Sequence, residues 1–205
     1  MRSLGIDEAG RGCVIGPMVV GGVVVDERGW QALGSLGVKD SKKLSPKRRE
    51  ELAPQIGEIA SGYELRLIAP AQIDETSLNL LDLEEIIVLI LKFLPEKAFF
   101  DVPTHPGGVG NFVGAVRGKV PAGVSLVGEN HADEKYPVVS AASILAKVER
   151  DRIISVLREE YGDFGSGYPS DPKTQRFLRA WFAEHHSFPS VVRHKWASVR
   201  RLLEQ

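Results

Sequence analysis

Apolar residues recur along this chain with two different periods, and the switches between them divide it into elements. Leu4 and Ile6 close a short apolar run at Asp7-Glu8, and Val14 to Val25 is β-branched and glycine-containing, so the two stretches read as strands of one hairpin. Pro17 falls inside the second stretch, which predicts two short strands there with a bulge or turn between them. Trp30, Leu33 and Leu36 then mark a short helix that Gly37 ends. Ser45-Pro46 opens a charged helix, because serine caps a helix and proline fits its first turn. Tyr63 to Ile68 alternates as a strand does, and Ala69-Pro70 ends it. Thr76-Ser77 suits the start of a helix carrying Leu80, Leu81, Leu83, Ile86, Ile87, Ile90, Leu91 and Leu94, apolar on several sides and therefore expected to be buried. Lys97 to Val102 and Val124 to Val127 read as further strands, separated by a loop and a helix ending near Val120. A long helix runs from Val138 to about Tyr161. Its first turns hold Ser140, Ala141, Ala142, Ser143 and Ala146, small enough to let neighbours approach closely. After Gly162 two short helices follow, roughly Pro172 to Glu184 and Ser190 to Leu203.

Composition narrows the classes of function. The 205 residues fit one main domain with an appendage, and a net charge of −1 gives the whole molecule no strong field for polyanions or membranes. Any nucleic-acid role must rest on local patches. Lys39 to Arg49 carries six basic residues against one acid, a run that is ordinarily a solvated face but also suits a phosphate-contacting loop around Ser41. From Asp171 to the end, seven Lys/Arg face three Asp/Glu, with three histidines and Trp181, Phe182, Phe188 and Trp196 among them. Most of these aromatics read as core of the appendage, yet the local positive charge favours a polyanion partner. The single cysteine, Cys13, excludes an internal disulfide and a multi-cysteine zinc site. No apolar run approaches the ~20 residues that span a bilayer, and no secretory signal is evident, so the expectation is a cytoplasmic protein without a membrane partner.

The candidate chemistry is acidic. Asp7 and Glu8 follow a buried strand at once, and since consecutive strand side chains point to opposite faces, they can share a ligand only if the strand breaks there. Gly10 and Gly12 supply such a break, and they also let backbone amides come close to a phosphate or sugar. Asp101 ends a predicted strand, where ligands gather in open α/β sheets, and Asp133 lies just ahead of the long helix with Lys147 on it. If the sheet gathers these four acids, a cation or raised pKa values must relieve their repulsion. All-oxygen ligands suit Mg²⁺ or Mn²⁺, which activate water and stabilise a leaving oxygen, and disfavour zinc. His131, two residues before Asp133, suits a proton shuttle or plain loop decoration, and His185-His186 reads as surface. Asn79 is either a second cap of its helix or a ligand contact, and spacing favours the cap. Gly108-Val109-Gly110 resembles a nucleotide-binding loop but fails, because Val113 stands where the sixth-position glycine is needed.

Taken together, Gly5-Ile6-Asp7-Glu8-Ala9-Gly10-Arg11-Gly12 with Gly16-Pro17, Asp40-Ser41-Lys42-Lys43-Leu44, Phe100-Asp101, Ala132-Asp133-Glu134-Lys135-Tyr136, Ala142-Ser143-Ile144-Leu145-Ala146-Lys147 and Gly167-Tyr168-Pro169 resemble the ribonuclease HII family in its single-chain archaeal-type form. The resemblance runs in order through the chain. It implies an α/β, ribonuclease H-like fold: a five-stranded mixed sheet flanked by helices over residues 1–165, with a small C-terminal helical subdomain over 166–205 closing the substrate groove. It implies Mg²⁺- or Mn²⁺-dependent hydrolysis of the RNA strand of an RNA/DNA hybrid. It also implies incision 5′ of a single ribonucleotide embedded in duplex DNA, leaving 3′-hydroxyl and 5′-phosphate ends. The family's acidic tetrad, catalytic and metal-binding, falls on Asp7, Glu8, Asp101 and Asp133. Gly10, Arg11 and Gly12 fall where the family meets 2′-hydroxyls, Tyr168 where it packs on the next sugar, and Ser41, Lys42, Lys43, Lys147 and Asn79 where it holds phosphates. The last residues, Leu203-Glu204-Gln205, lack the Gln-x-x-aliphatic-x-x-aromatic-aromatic motif, an expectation against docking to a sliding clamp; a monomer is the default state. Two other readings use parts of the same pattern. Another Mg²⁺-dependent nuclease or phosphoryl-transfer enzyme would use the carboxylates without needing the glycine loop and Tyr168 together. A catalytically silent hybrid-binding module would be weakened by four acids facing phosphates.

Overall fold

The computed structural model describes residues 1–38 and 44–204. The expected phosphate contacts Ser41, Lys42 and Lys43 lie outside the described residues. Five strands form one mixed sheet: β1 (Ser3–Ala9), β2 (Met18–Val25), β3 (Gly62–Ile68), β4 (Lys97–Asp101) and β5 (Ser125–Glu129), in the order β3-β2-β1-β4-β5. β1 pairs antiparallel with β2, and β2 with β3, as the hairpin pattern predicts. β4 joins β1 and β5 joins β4 in parallel. The helices are α1 (Glu27–Leu36), α2 (Pro46–Ile59), α3 (Pro70–Glu75), α4 (Leu78–Phe93), α5 (Val109–Arg117), α6 (Ala132–Lys135), α7 (Pro137–Tyr161), α8 (Pro172–His185) and α9 (Ala197–Leu203).

The sheet is covered on both faces, as its parallel half requires. Leu4 and Ile6 of β1 and Val20 and Val24 of β2 pack with Ile86, Leu89 and Ile90 of α4 and Val116 of α5. On the other face, Val23 and Val25 meet Val138, Val139 and Ala142 of α7, together with Leu33 of α1 and Leu52 and Ile56 of α2. β1 and α7 come unusually close: a Cβ at Gly5 would stand 2.3 Å from the Val138 carbonyl carbon and oxygen, so only glycine fits there. A third cluster joins Val14, Ile15 and Ile154 to Phe164, Leu178, Phe188, Val192 and Val199, so the C-terminal helices share a core with the start of the chain and with α7.

Several elements differ from expectation, each for a physical reason. Val14 to Pro17 is not a strand; the only pairing recorded there is an isolated bridge from Ile15 to Val192, and the second strand of the hairpin begins at Met18. Ala69-Pro70 ends β3 but also starts α3, since proline at the first helical position lacks only a donor the helix does not use. α4 is buried on one side only. Leu80, Val88 and Leu91 are 43%, 37% and 45% exposed, because α4 lies flat on the sheet with nothing stacked above it among the described residues. The cap of α4 is Ser77, whose side chain accepts from the Leu80 amide, so Asn79 is not the cap. α5 ends at Arg117, not near Val120. The last helix shrinks to Ala197–Leu203, because Val192 and Arg193 are drawn back onto residues 14–16.

Candidate active site

The ends of β1 and β4 meet at the centre of the sheet. Parallel pairing between them runs from Ser3↔Lys97 to Ile6↔Phe100, so Asp7 and Glu8 lie just past the last paired position and Asp101 arrives beside them. The strand does not break between Asp7 and Glu8; it continues against β2 through Ala9↔Val19. Even so, Asp7, Glu8 and Asp101 each offer a ligand atom, all within 4.8 Å of one another. Alternation divides their support. Asp7 takes the α7 face, where Ser143 hydrogen-bonds to it, and Glu8 takes the α4 face beside Asp82.

Asp133, expected as the fourth member, is not part of this close group. It lies in α6, 2% exposed, near enough for its charge to act on Asp7. Asp101 connects the two elements, because its Oδ1 accepts from the Ala132 amide at 2.8 Å and so fixes the start of α6. His131 precedes that helix with φ at 58° and an exposed side chain 3.6 Å from Glu134.

The electrostatics of the group are unfavourable as it stands. Burial pushes the Asp7 carboxyl up to about 7, the charges of Asp101 and Asp133 add to the rise, and the Ser143 hydrogen bond opposes it. Burial likewise raises Glu8 well above the ordinary carboxylate range, with Asp7, Asp82 and Asp101 adding to it and Arg11 opposing. A divalent cation among these oxygens would reverse the balance. The donor set is hard and all-carboxylate, which fits Mg²⁺ or Mn²⁺.

A cleft of about 440 Å³ opens beside the acids, lined by Glu8, Gly10, Arg11, Gly12, Arg49, Lys147, Arg150 and Tyr168 among others. A second cleft, about 470 Å³, lies between α8 and α9 around Gln175, Trp196 and Arg201, but no carboxylate lines it. Size alone therefore does not select the site. Lys147 Nζ donates to Ser143 Oγ at 2.9 Å, so one serine links the lysine to Asp7. Arg49 reaches Asp151 at 3.1 Å and ties α2 to α7 along the cleft wall. Tyr168 is 41% exposed and lies against Arg150, whose guanidinium carbon is 5.4 Å from the ring centre.

The glycine loop is held from behind by residues that no motif announces. Arg193, fully buried, donates through Nε to Gly16 O at 3.1 Å, through Nη1 to Arg11 O at 2.8 Å and through Nη2 to Gly10 O at 2.6 Å. A trans peptide sets its N–H opposite its C=O, so the Arg11 and Gly12 amides face away from this guanidinium. Gly10 has φ at +82°, and a Cβ there would stand 2.5 Å from Arg150 Nε. Arg150 in turn donates to Cys13 Sγ at 2.8 Å and to Ser166 O at 3.2 Å. Asn79 Oδ1 accepts from Arg11 Nη2, and Asp82 Oδ2 accepts from Arg11 Nε at 2.9 Å. For Asp82 a signal did exist, an acid set between Leu81 and Leu83 in the apolar run of α4. For Arg193 there was none.

A family model described as Ribonuclease HII matches residues 4–199. The ribonuclease HII of Pyrococcus furiosus is 44% identical over 206 residues, covering 100% of this chain and 92% of that protein. Among solved structures, ribonuclease H2 from Pyrococcus horikoshii OT3 superposes with a TM-score of 0.92 at 41% identity, covering 100% of this chain and 98% of that one. The ribonuclease HII of Archaeoglobus fulgidus, solved as a complex with PCNA, gives a TM-score of 0.87 at 45% identity over 98% of this chain and 96% of that one. In this chain, no helix among the described residues is long and apolar enough to cross a membrane.

Proposed function

The chain belongs to the ribonuclease HII family, metal-dependent endoribonucleases that hydrolyse the RNA strand of RNA/DNA hybrids, and on that premise we propose that it also incises 5′ of single ribonucleotides embedded in duplex DNA. The products carry 3′-hydroxyl and 5′-phosphate ends. One observation carries the reading: three carboxylates lie within 4.8 Å of one another, and one of them, Glu8, lines a cleft whose near wall is the glycine loop.

Asp7, Glu8 and Asp101 would hold Mg²⁺ or Mn²⁺, and a bound ion would supply activation of water for in-line attack and neutralisation of charge on the leaving oxygen. Asp133 supports the group as its fourth acid. The position of its charge beside Asp7 supports that role. Ser143 orients the Asp7 carboxylate, and Lys147, tethered to the same serine, offers its charge to the substrate phosphate. Ser41, Lys42 and Lys43 take the neighbouring phosphates, and Asn79 contributes there through Arg11. The amides of Gly10, Arg11 and Gly12 read the 2′-hydroxyl, the group that distinguishes RNA from DNA. Tyr168 packs on the following sugar at the ribose-to-deoxyribose junction. Residues 166–205 form the far wall of the groove, and the partial exposure of Tyr168 at the start of that segment supports this division.

Incubating the protein with Mg²⁺ and a duplex containing one ribonucleotide, then mapping product ends at nucleotide resolution, tests the reading. A single cut on the 5′ side of the ribonucleotide is expected. Cuts at deoxyribonucleotides, or 3′-phosphate ends, would overturn it.

A further inference from the structure

Asp82 has no role in the reading above, although it is one of the few charged side chains inside the core. It sits on the buried face of α4 at 2% exposure, one turn after Asn79. The two residues grip the same guanidinium. Asp82 Oδ2 takes Arg11 Nε at 2.9 Å and Asn79 Oδ1 takes Arg11 Nη2. Arg11 nevertheless keeps 29% of its side chain exposed, and it lines the cleft. The other Asp82 oxygen, Oδ1, is buried without a hydrogen-bond partner among the described residues, in a small recess it shares with Asp7, Glu8 and Asp101.

A buried ion pair is poor evidence for stability, because removing two charges from water costs about as much as their attraction returns. Its value lies in geometry. A free arginine loses about 2 kcal/mol of rotamer freedom when it is fixed on a phosphate. Arg11 has been fixed in advance by a carboxylate and an amide on one helical turn. The grip uses Nε and Nη2; Nη1 takes no part in it.

We propose that Asp82 is a positioning residue: by holding Arg11 against α4, it presets that side chain as a phosphate contact at the mouth of the acid group and steadies the Gly10-Arg11-Gly12 backbone. The inference rests on the hybrid-cleaving role assigned above. It separates Asp82 from the metal-binding acids, since its bonded oxygen is committed to Arg11 and the residue lies outside the group of three. It also explains why an acid stands among the buried residues of α4, which are otherwise Leu81, Ile86, Leu89 and Ile90.

Steady-state cleavage of an RNA/DNA hybrid with Mg²⁺ by the wild-type protein, Asp82→Ala, Asp82→Asn, Arg11→Ala and the Arg11→Ala/Asp82→Ala double variant tests it. Asp82→Ala is expected to raise KM about tenfold while kcat stays within about a factor of two. Asp82→Asn keeps an acceptor for Nε and falls between. The double variant has a KM no worse than Arg11→Ala alone, because the aspartate's effect on substrate binding runs through the arginine. Multiplying factors in the double variant, or a loss confined to kcat, would overturn the inference; a purely structural role would lower the active fraction and leave KM unmoved. Should Asp82→Ala fail to fold, the same cycle with Asp82→Asn carries the test. A wild-type protein that leaves the hybrid uncut removes the functional reading and this inference with it, whereas cutting with multiplying factors removes the inference alone.

Discussion

The acid group and the glycine loop are separated by Ala9 alone, and they are held in opposite ways. Asp7, Glu8 and Asp101 crowd together, and burial with the neighbouring charges raises the Asp7 and Glu8 carboxyls, so that half of the site is under electrostatic stress. Gly10 to Gly12 is fully braced: one buried guanidinium takes the carbonyls of Gly10, Arg11 and Gly16, and a second blocks any side chain at Gly10. The difference suits the function proposed above, because a metal site must leave coordination unfilled, whereas a backbone that is to recognise one hydroxyl must not move.

The comparison breaks most sharply at Asp7. Asp7→Asn keeps the shape but removes a ligand charge, and cleavage should fall by about a thousandfold or more, the several kcal/mol that metal-assisted stabilisation supplies. Hybrid binding should change little, since the loop and the basic wall are untouched. Near-normal turnover in that variant would reject the metal-ligand role.

On the braced side the largest loss should come from Arg193→Met. The side chain keeps its length but loses its charge, and three carbonyls each lose a guanidinium donor, at a cost of about 3 kcal/mol. Burial lowers the Arg193 pKa only to about 10, so the guanidinium remains charged at neutral pH. Urea unfolding measures the change. A shift under about 0.5 kcal/mol would mean the loop is held by something else.

The stressed side makes a prediction about pH. Asp7 holds its proton up to about pH 7 when folded, against 3.8 when unfolded, so the contribution of this group to stability is full below about pH 4 and is lost as pH rises through about 7. With chelator present, the wild-type protein should lose stability across that window relative to Asp7→Asn. Adding Mg²⁺ at a hundred times its Kd should restore about 2.7 kcal/mol at neutral pH. Parallel pH profiles for the two proteins, with no response to Mg²⁺, would show that the crowding carries no energy.

Much of this division was legible in the sequence, but unevenly. Local signals reported faithfully: Ser45 caps α2, the small residues Ala142 and Ala146 of α7 let it pack on Gly21 of β2, and Asp101 ends its strand. Of the four acids singled out, Asp7, Glu8 and Asp101 come together where the ends of β1 and β4 meet, as their strand-end positions suggested, while Asp133 stays outside that close group. The bracing was not. Arg193 meets Gly10 across 183 residues and Asp82 meets Arg11 across 71, and no periodicity encodes such encounters. Asn79 shows the same limit. Spacing favoured a cap, whereas its amide oxygen serves an arginine that only the folded chain brings near. The strand through Asp7 and Glu8 is a further case, since the acids converge because β4 stops short of them and not because β1 breaks.

The smallest effect should come from Tyr168, where the two halves of the site meet the substrate together. Its ring rests on Arg150, and Arg150 also touches Cys13 and fills the space beside Gly10, so the tyrosine is placed by the braced loop and not by the acids. Tyr168→Ala should therefore leave metal dependence unchanged and reduce sugar packing, worth about 1 kcal/mol or somewhat more for one stacking contact. On a long hybrid, neighbouring riboses supply other contacts along the groove, and the loss should stay within a few fold. At a single embedded ribonucleotide no such neighbours exist, so the same substitution should cost about tenfold. Equal losses on the two substrates would place Tyr168 among general nucleic-acid contacts and leave junction reading to the glycine loop alone.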